Sequence, residues 1–150
     1  MIDLDGTLLD TVEDLAAAVN LMLGQLGRPP LDAALVRTFI GKGIQNLVRR
    51  TLAGALSGEP DAGLLERALP LYLDCYASVN GRSATLYPGV LEGLAVLKDA
   101  GFPLACVTNK GERFTLPLLA QMRLAPYFSM VVAGDTLPQK KPDPLPLVHA

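Results

Sequence analysis

The 150-residue chain is half hydrophobic, with a mean hydropathy of +0.32, a formal net charge of −2 and a pI near 5.3. This balance excludes a basic field able to hold a nucleic-acid backbone or an anionic membrane surface, and no apolar run approaches the ~18 residues that a membrane-spanning helix needs. A small-molecule partner is expected by default, and the apolar excess fits a parallel sheet covered on both faces, whose strands read as unbroken apolar runs.

The length suffices for one domain of ordinary size, or for a domain carrying a smaller insertion. Met1 to Asp10 reads as the end of a strand running into an acidic, glycine-containing turn. A helix follows: Thr11 with Asp14 fits a capping box, and Val12, Leu15, Ala16, Val19, Met22, Leu23 and Leu26 recur at helical spacing until Gly27 and Pro29-Pro30 end the pattern. Three more helices are expected over Asp32 to Ile40, Ile44 to Leu56 and Ala62 to Ser78, the last kinked or restarted at Pro70. No strand pattern interrupts them, so residues 13–83 read as a small all-helical unit.

After Asn80-Gly81 the pattern alternates helix and strand. Pro88 suits a first helical turn, Val90, Leu91, Leu94 and Leu97 continue the helix, and Gly101 ends it. Pro103 to Thr108 reads as a buried strand, Glu112 to Met122 as a helix disturbed by Pro117, and Met130 to Ala133 as the next strand. This is a βαβ order, which implies a parallel sheet. Pro144 to Ala150 looks like the opening of another helix, where His149 is expected to face solvent. The two cysteines, Cys75 and Cys106, lie in apolar segments without metal-ligand spacing and are expected to be reduced core thiols. No charged-then-apolar leader opens the chain, so the expected compartment is the cytoplasm.

In Asp3-Leu4-Asp5-Gly6-Thr7 two carboxylates two positions apart in extended chain project to the same side. They repel each other and would repel a phosphate still more, so the pair makes sense with a cation; Mg2+, which prefers hard oxygen ligands and shares them with substrate phosphate, fits best. Gly6 lets the chain turn sharply, and the amides after it, Thr7 included, are candidate phosphate donors. Two later segments fall at expected C-terminal ends of strands, where open parallel sheets gather ligands. Thr108-Asn109-Lys110 offers a hydroxyl and an amide, and Lys141 in Lys140-Lys141-Pro142-Asp143-Pro144 offers a positive charge.

Taken in order, Asp3 to Thr11, Val107 to Lys110 and Lys141 to Pro144 resemble three of the four signature motifs of the haloacid dehalogenase-like hydrolases. More narrowly, Phe39-Ile40-Gly41-Lys42-Gly43, Tyr87-Pro88-Gly89-Val90 and Ala133-Gly134-Asp135 are similar to segments of phosphoglycolate phosphatases. The resemblance implies an α/β fold: a Rossmann-like parallel-sheet core over residues 1–12 and 84–150, incomplete as the chain stands, with a small helical cap inserted over residues 13–83. It implies a Mg2+-dependent phosphatase in which Asp3 is the nucleophile and Asp5 the general acid and base. Gly6, Thr7, Thr108, Asn109 and Lys141 would hold phosphate, and Asp3 and the main-chain carbonyl of Asp5 would hold the metal. Lys42 would touch the substrate from the cap.

Gly134-Asp135 precedes Lys141 and does not stand in for the fourth, acidic motif, which nothing in the chain supplies; only Met1 and Ile2 precede Asp3. The chain is therefore expected to lack parts of the core at both ends, to expose apolar surface, to bind metal weakly and to turn over little. A phosphosugar mutase, another sugar or nucleotide phosphatase of the superfamily, an inactive remnant and a non-enzymatic phosphoacceptor module are the competing readings. The early helical insertion and the Gly6-Thr7 pair argue against the last.

Overall fold

The computed structural model describes all 150 residues, which divide into two compact units: residues 11–84, and residues 1–10 with 85–150.

The unit spanning 11–84 is built from four helices, α1 (Val12–Gln25), α2 (Ala33–Phe39), α3 (Ile44–Ala53) and α4 (Ala62–Val79). α1 packs on α4 through the stripe anticipated from its spacing, with Ala18, Val19 and Met22 fully buried and Tyr72 and Tyr76 stacked at 5.8 Å between ring centres. Asp32 and Asp61 cap α2 and α4 by accepting from the Ala34 and Leu64 amides at 2.7 and 2.9 Å. Asn20 clamps both backbone groups of Leu31, which fixes the Pro29-Pro30 connection. Arg50 is buried and donates to the Phe39 carbonyl at 2.8 Å, tying α3 to the end of α2.

Three sequence expectations are corrected in this unit. α3 stops at Ala53 because Gly54 takes the left-handed conformation (φ 67°), a routine helix terminator. α4 runs unbroken through Pro70. The carbonyl that loses its partner there belongs to Glu66 on the exposed side, where water can replace the missing N–H. The capping box does not form either: Thr11 makes no side-chain cap bond, and Asp14 turns inward to accept from the Gly81 and Ser83 amides, both at 2.7 Å. Aspartate is one methylene shorter than the glutamate that closes such a box, and two backbone donors after α4 take its oxygens instead.

The second unit contains β1 (Leu9–Asp10), β2 (Thr85–Leu86), α5 (Val90–Asp99), β3 (Ala105–Val107), α6 (Glu112–Gln121), a 3-10 turn (Ala125–Tyr127), β4 (Met130–Val132) and α7 (Leu145–His149). β3 and β4 pair in parallel with Ala105 opposite Met130 and Val107 opposite Val132. Ile2 joins the other side of β3: its amide donates to the Ala105 carbonyl and its carbonyl accepts from the Val107 amide, both at 2.9 Å. The expected strand at the start of the chain is thus a single bridge. β1 and β2 form an antiparallel two-residue ladder that the sequence pattern did not reveal. α6 accommodates Pro117 as α4 does Pro70, with the orphaned Arg113 carbonyl on the exposed side. Only Leu94 of α5 is buried, and Leu91, Val96 and Leu97 are exposed. No helix is long and apolar enough to cross a membrane.

Asp14→Ala removes the acceptors that the Gly81 and Ser83 amides use. We expect urea denaturation followed by circular dichroism to show a loss of about 3 kcal/mol, and roughly half that for Asp14→Asn, which keeps one acceptor.

Candidate active site

Because Ile2, β3 and β4 run parallel, the residues that leave their C-terminal ends, Asp3, Thr108 and Gly134, emerge at one edge of the sheet. Both oxygens of the Asp3 carboxylate differ in environment. Oδ1 accepts from the Leu4 amide at 2.8 Å and faces the Lys141 ammonium at 2.9 Å; Oδ2 carries no hydrogen bond, and the side chain is 43% exposed. One oxygen is therefore held and the other is open to a ligand. Lys141 also donates to the Val107 carbonyl at 2.7 Å, which fixes the ammonium between strand end and carboxylate.

Asp5 has its own cation. Lys110 Nζ stands 3.2 and 3.4 Å from the two Asp5 oxygens, and its side chain is only 2% exposed against 21% for Asp5. In the Thr108-Asn109-Lys110 segment the sequence pattern predicts no role for Lys110. A lysine directly after a strand is usually a solvated turn residue, and nothing local marks this one as buried; the signal is its distance of 105 residues from the acid it meets.

Thr108 is buried, and its Oγ1 accepts from the Lys110 amide at 3.2 Å, which leaves the hydroxyl proton available to a ligand. Asn109 Nδ2 donates to the Lys141 carbonyl at 3.0 Å, so this side chain holds the lysine loop in place, and its Oδ1 is buried without a partner. The amides expected to reach phosphate are engaged within the turn: Gly6 donates to the Leu9 carbonyl at 2.8 Å, and Thr7 to the Leu4 carbonyl at 3.3 Å. They are so because Gly6 adopts φ 81°, folding the chain back on itself. The Thr7 side chain is exposed. Lys42 lies in the helical unit, exposed between Gly41 and Gly43, both at positive φ. Asp135 accepts from the Glu112 amide at 2.8 Å and so caps α6.

The backbone is built tightly here. The Gly134 amide donates to the Lys110 carbonyl at 2.8 Å, and a Cβ on Gly134 would stand 2.2 Å from the Asn109 carbonyl oxygen. Cys106 lies fully buried beneath the acids. Burial pushes its thiol up to about 12, with the Asp3 carboxylate adding to the rise, Lys141 opposing it and Asp5 contributing least. A thiol so displaced stays protonated near neutrality and is neither ligand nor nucleophile. Burial likewise raises Cys75, and both cysteines are free, as expected from the sequence.

The hard-oxygen donors at the site, the Asp3 carboxylate and the main chain of Asp5, fit a magnesium ion that keeps several waters and shares substrate phosphate. Within this chain no third acidic, histidine or cysteine side chain gathers with them.

The fold, the paired acids and the lysine and threonine at the neighbouring strand ends define a class. The chain belongs to the haloacid dehalogenase-like hydrolases, whose family model matches residues 1–150. It is 57% identical over 150 residues to a phosphoglycolate phosphatase of Nitrosospira multiformis, covering all of this chain and 66% of that protein. Identity to the phosphoglycolate phosphatase of Thiobacillus denitrificans is 47%, again over 66% of its length. Among solved structures, a predicted phosphoglycolate phosphatase from Haemophilus somnus superposes with a TM-score of 0.88 at 33% identity, over 98% of this chain and 67% of that one. The chain thus spans about two-thirds of the length of these relatives.

Two outcomes are expected. Gly134→Ala forces backbone against backbone and should lower stability by about 2 kcal/mol or more in thermal unfolding. Thiol titration with Ellman's reagent at pH 8 should find neither cysteine reactive in the folded chain and both reactive in denaturant.

Proposed function

We propose that the protein hydrolyses a small phosphate monoester, with 2-phosphoglycolate the first candidate, through a phosphorylated Asp3. The observation that carries this reading is the division of labour between two carboxylates: Asp3, anchored at Oδ1 and open at Oδ2, and Asp5, paired with a buried lysine of its own. The names borne by relatives at 57% and 47% identity support both the reaction and the substrate class.

Asp3 Oδ2 attacks phosphorus, the bond to the ester oxygen breaks, and that oxygen leaves with the electron pair and takes a proton from Asp5. Asp5, now ionised, removes a proton from the water that attacks the phosphoryl group, freeing inorganic phosphate and restoring Asp3. The covalent step splits one difficult displacement into two easier ones. The Thr108 hydroxyl donates to a phosphoryl oxygen, and the Lys141 ammonium offsets negative charge on nucleophile and transferring group. Asn109 contributes by holding Lys141, and Gly6 by shaping the turn. A bound magnesium ion, held by Asp3 and the main-chain carbonyl of Asp5, supplies further neutralisation of the incoming phosphate.

In this reading the helical unit is the cap that the family resemblance implies, and Lys42 is its candidate for the substrate's own carboxylate. The compartment is then the cytoplasm and the substrate a small phosphorylated metabolite.

Asp3→Asn should lower 2-phosphoglycolate hydrolysis by the complete gene product by at least ~10³-fold. With Mg2+ and beryllofluoride, a phosphate mimic, the wild type should show bound fluorine signals in 19F NMR that the variant lacks. An Asp3→Asn protein that still turns over at the wild-type rate would refute the assignment.

A further inference from the structure

Lys110 is hard to account for by stability alone. Its side chain is 2% exposed, and a lysine is almost never so buried unless paired. Withdrawing an ammonium and a carboxylate from water costs several kcal/mol per ion, and an apolar side chain of similar volume commonly does as well or better for folding. The backbone, by contrast, fixes the residue firmly. Its amide donates to Thr108 Oγ1, and its carbonyl accepts from Thr115 Oγ1 at 3.1 Å and from the Gly134 amide at 2.8 Å. The direction in which the side chain leaves is set by the fold, and it leads to Asp5.

The two lysines grip their acids differently. Lys141 meets Asp3 at 2.9 Å on one oxygen, within the ordinary range of a charge-assisted bond. Lys110 is shared between both Asp5 oxygens at 3.2 and 3.4 Å, longer than that range. A shared, slack contact lets Asp5 give up either oxygen to a proton transfer while the other stays against the ammonium. From this we infer that Lys110 is the positioning residue for Asp5, retaining the carboxyl group while one of its oxygens exchanges a proton with the leaving group and then with water. The inference rests on the phosphatase reading above and assigns a role to a residue outside the nucleophile, phosphate and metal sets.

The test is transient kinetics of Lys110→Met and Lys110→Arg in the complete gene product, with 2-phosphoglycolate and with p-nitrophenyl phosphate. The aryl leaving group departs without help from an acid, whereas an alkoxide needs the proton. For Lys110→Met we expect kcat on 2-phosphoglycolate to fall roughly 10²-fold, the scale of general acid and base catalysis, with KM changed less than about threefold. With the aryl ester the first turnover should stay fast, giving a stoichiometric burst of p-nitrophenol, and only later turnovers should slow. Lys110→Arg, which keeps the charge, should recover most of the loss. A burst lost in proportion to kcat, a raised KM at unchanged kcat, or wild-type rates throughout would each overturn the assignment. Should Lys110→Met fail to fold, Lys110→Arg decides alone: it must keep the wild-type KM and most of the wild-type kcat on 2-phosphoglycolate, and loss of either refutes the role. Absence of any hydrolysis by the wild type would refute the phosphatase reading instead, and is thereby told apart.

Discussion

Two carboxylates two residues apart, on a chain segment with almost no strand of its own, are the constraint around which this site is arranged. Left alone they would repel each other across a short span. Each is met by one lysine brought from a different strand end: Lys141 for Asp3, Lys110 for Asp5. Neither lysine is near its partner in sequence, so the pairs exist only when Ile2, β3 and β4 are in register. The folding of the small parallel sheet and the neutralisation of the acids are one event.

That register is secured mostly by backbone groups. Ile2 exchanges two hydrogen bonds with β3, Thr108 reaches across to the Val132 carbonyl at 2.9 Å, and Gly134 closes on the Lys110 carbonyl. The last contact brings two chain segments so close that only glycine fits. The Asn109 side chain then spans to the Lys141 carbonyl, so both lysines hang from one short loop after β3. A shift in this loop would move both cations together, which makes the loop a poorer place for tolerated change than its surface position suggests.

The parts of this arrangement that could be read in the sequence are those set by local pattern. The amphipathic stripe of α1, the glycine and proline stops, and the apolar triplets of β3 and β4 follow from periodicity and from what Gly and Pro permit. The acidic pair and its turn were legible because two carboxylates beside a glycine have few other reasons to be together. The missed features are decided by partners far along the chain. Asp14 fits a helix cap on paper, yet amides from 67 and 69 residues away win its oxygens. Pro70 reads as a kink or restart and Pro117 as a disturbance, yet both helices continue, each orphaning a carbonyl on an exposed helix face where water can fill the gap. The β1 and β2 ladder is two residues long and has no room for a period-2 signal.

The differing grip on the two acids fits what the proposed mechanism asks of each. A nucleophile gains from being fixed, because attack requires one oxygen at a set distance and angle from phosphorus, and misplacement by an ångström is costly. The Leu4 amide and Lys141 supply that by holding Asp3 Oδ1 from two directions, leaving Oδ2 alone to react. A general acid that later serves as base must reach two atoms in different places, the departing oxygen and the attacking water, and a rigid clamp would satisfy only one. The bifurcated contact from Lys110 keeps Asp5 nearby without choosing between its oxygens. In that proposal two like residues, two positions apart, take unlike duties from the length and sharing of their lysine contacts. Lysines alone could not do this by charge, since each carries the same +1. The difference comes from where the backbone after β3 and after β4 sets each ammonium down.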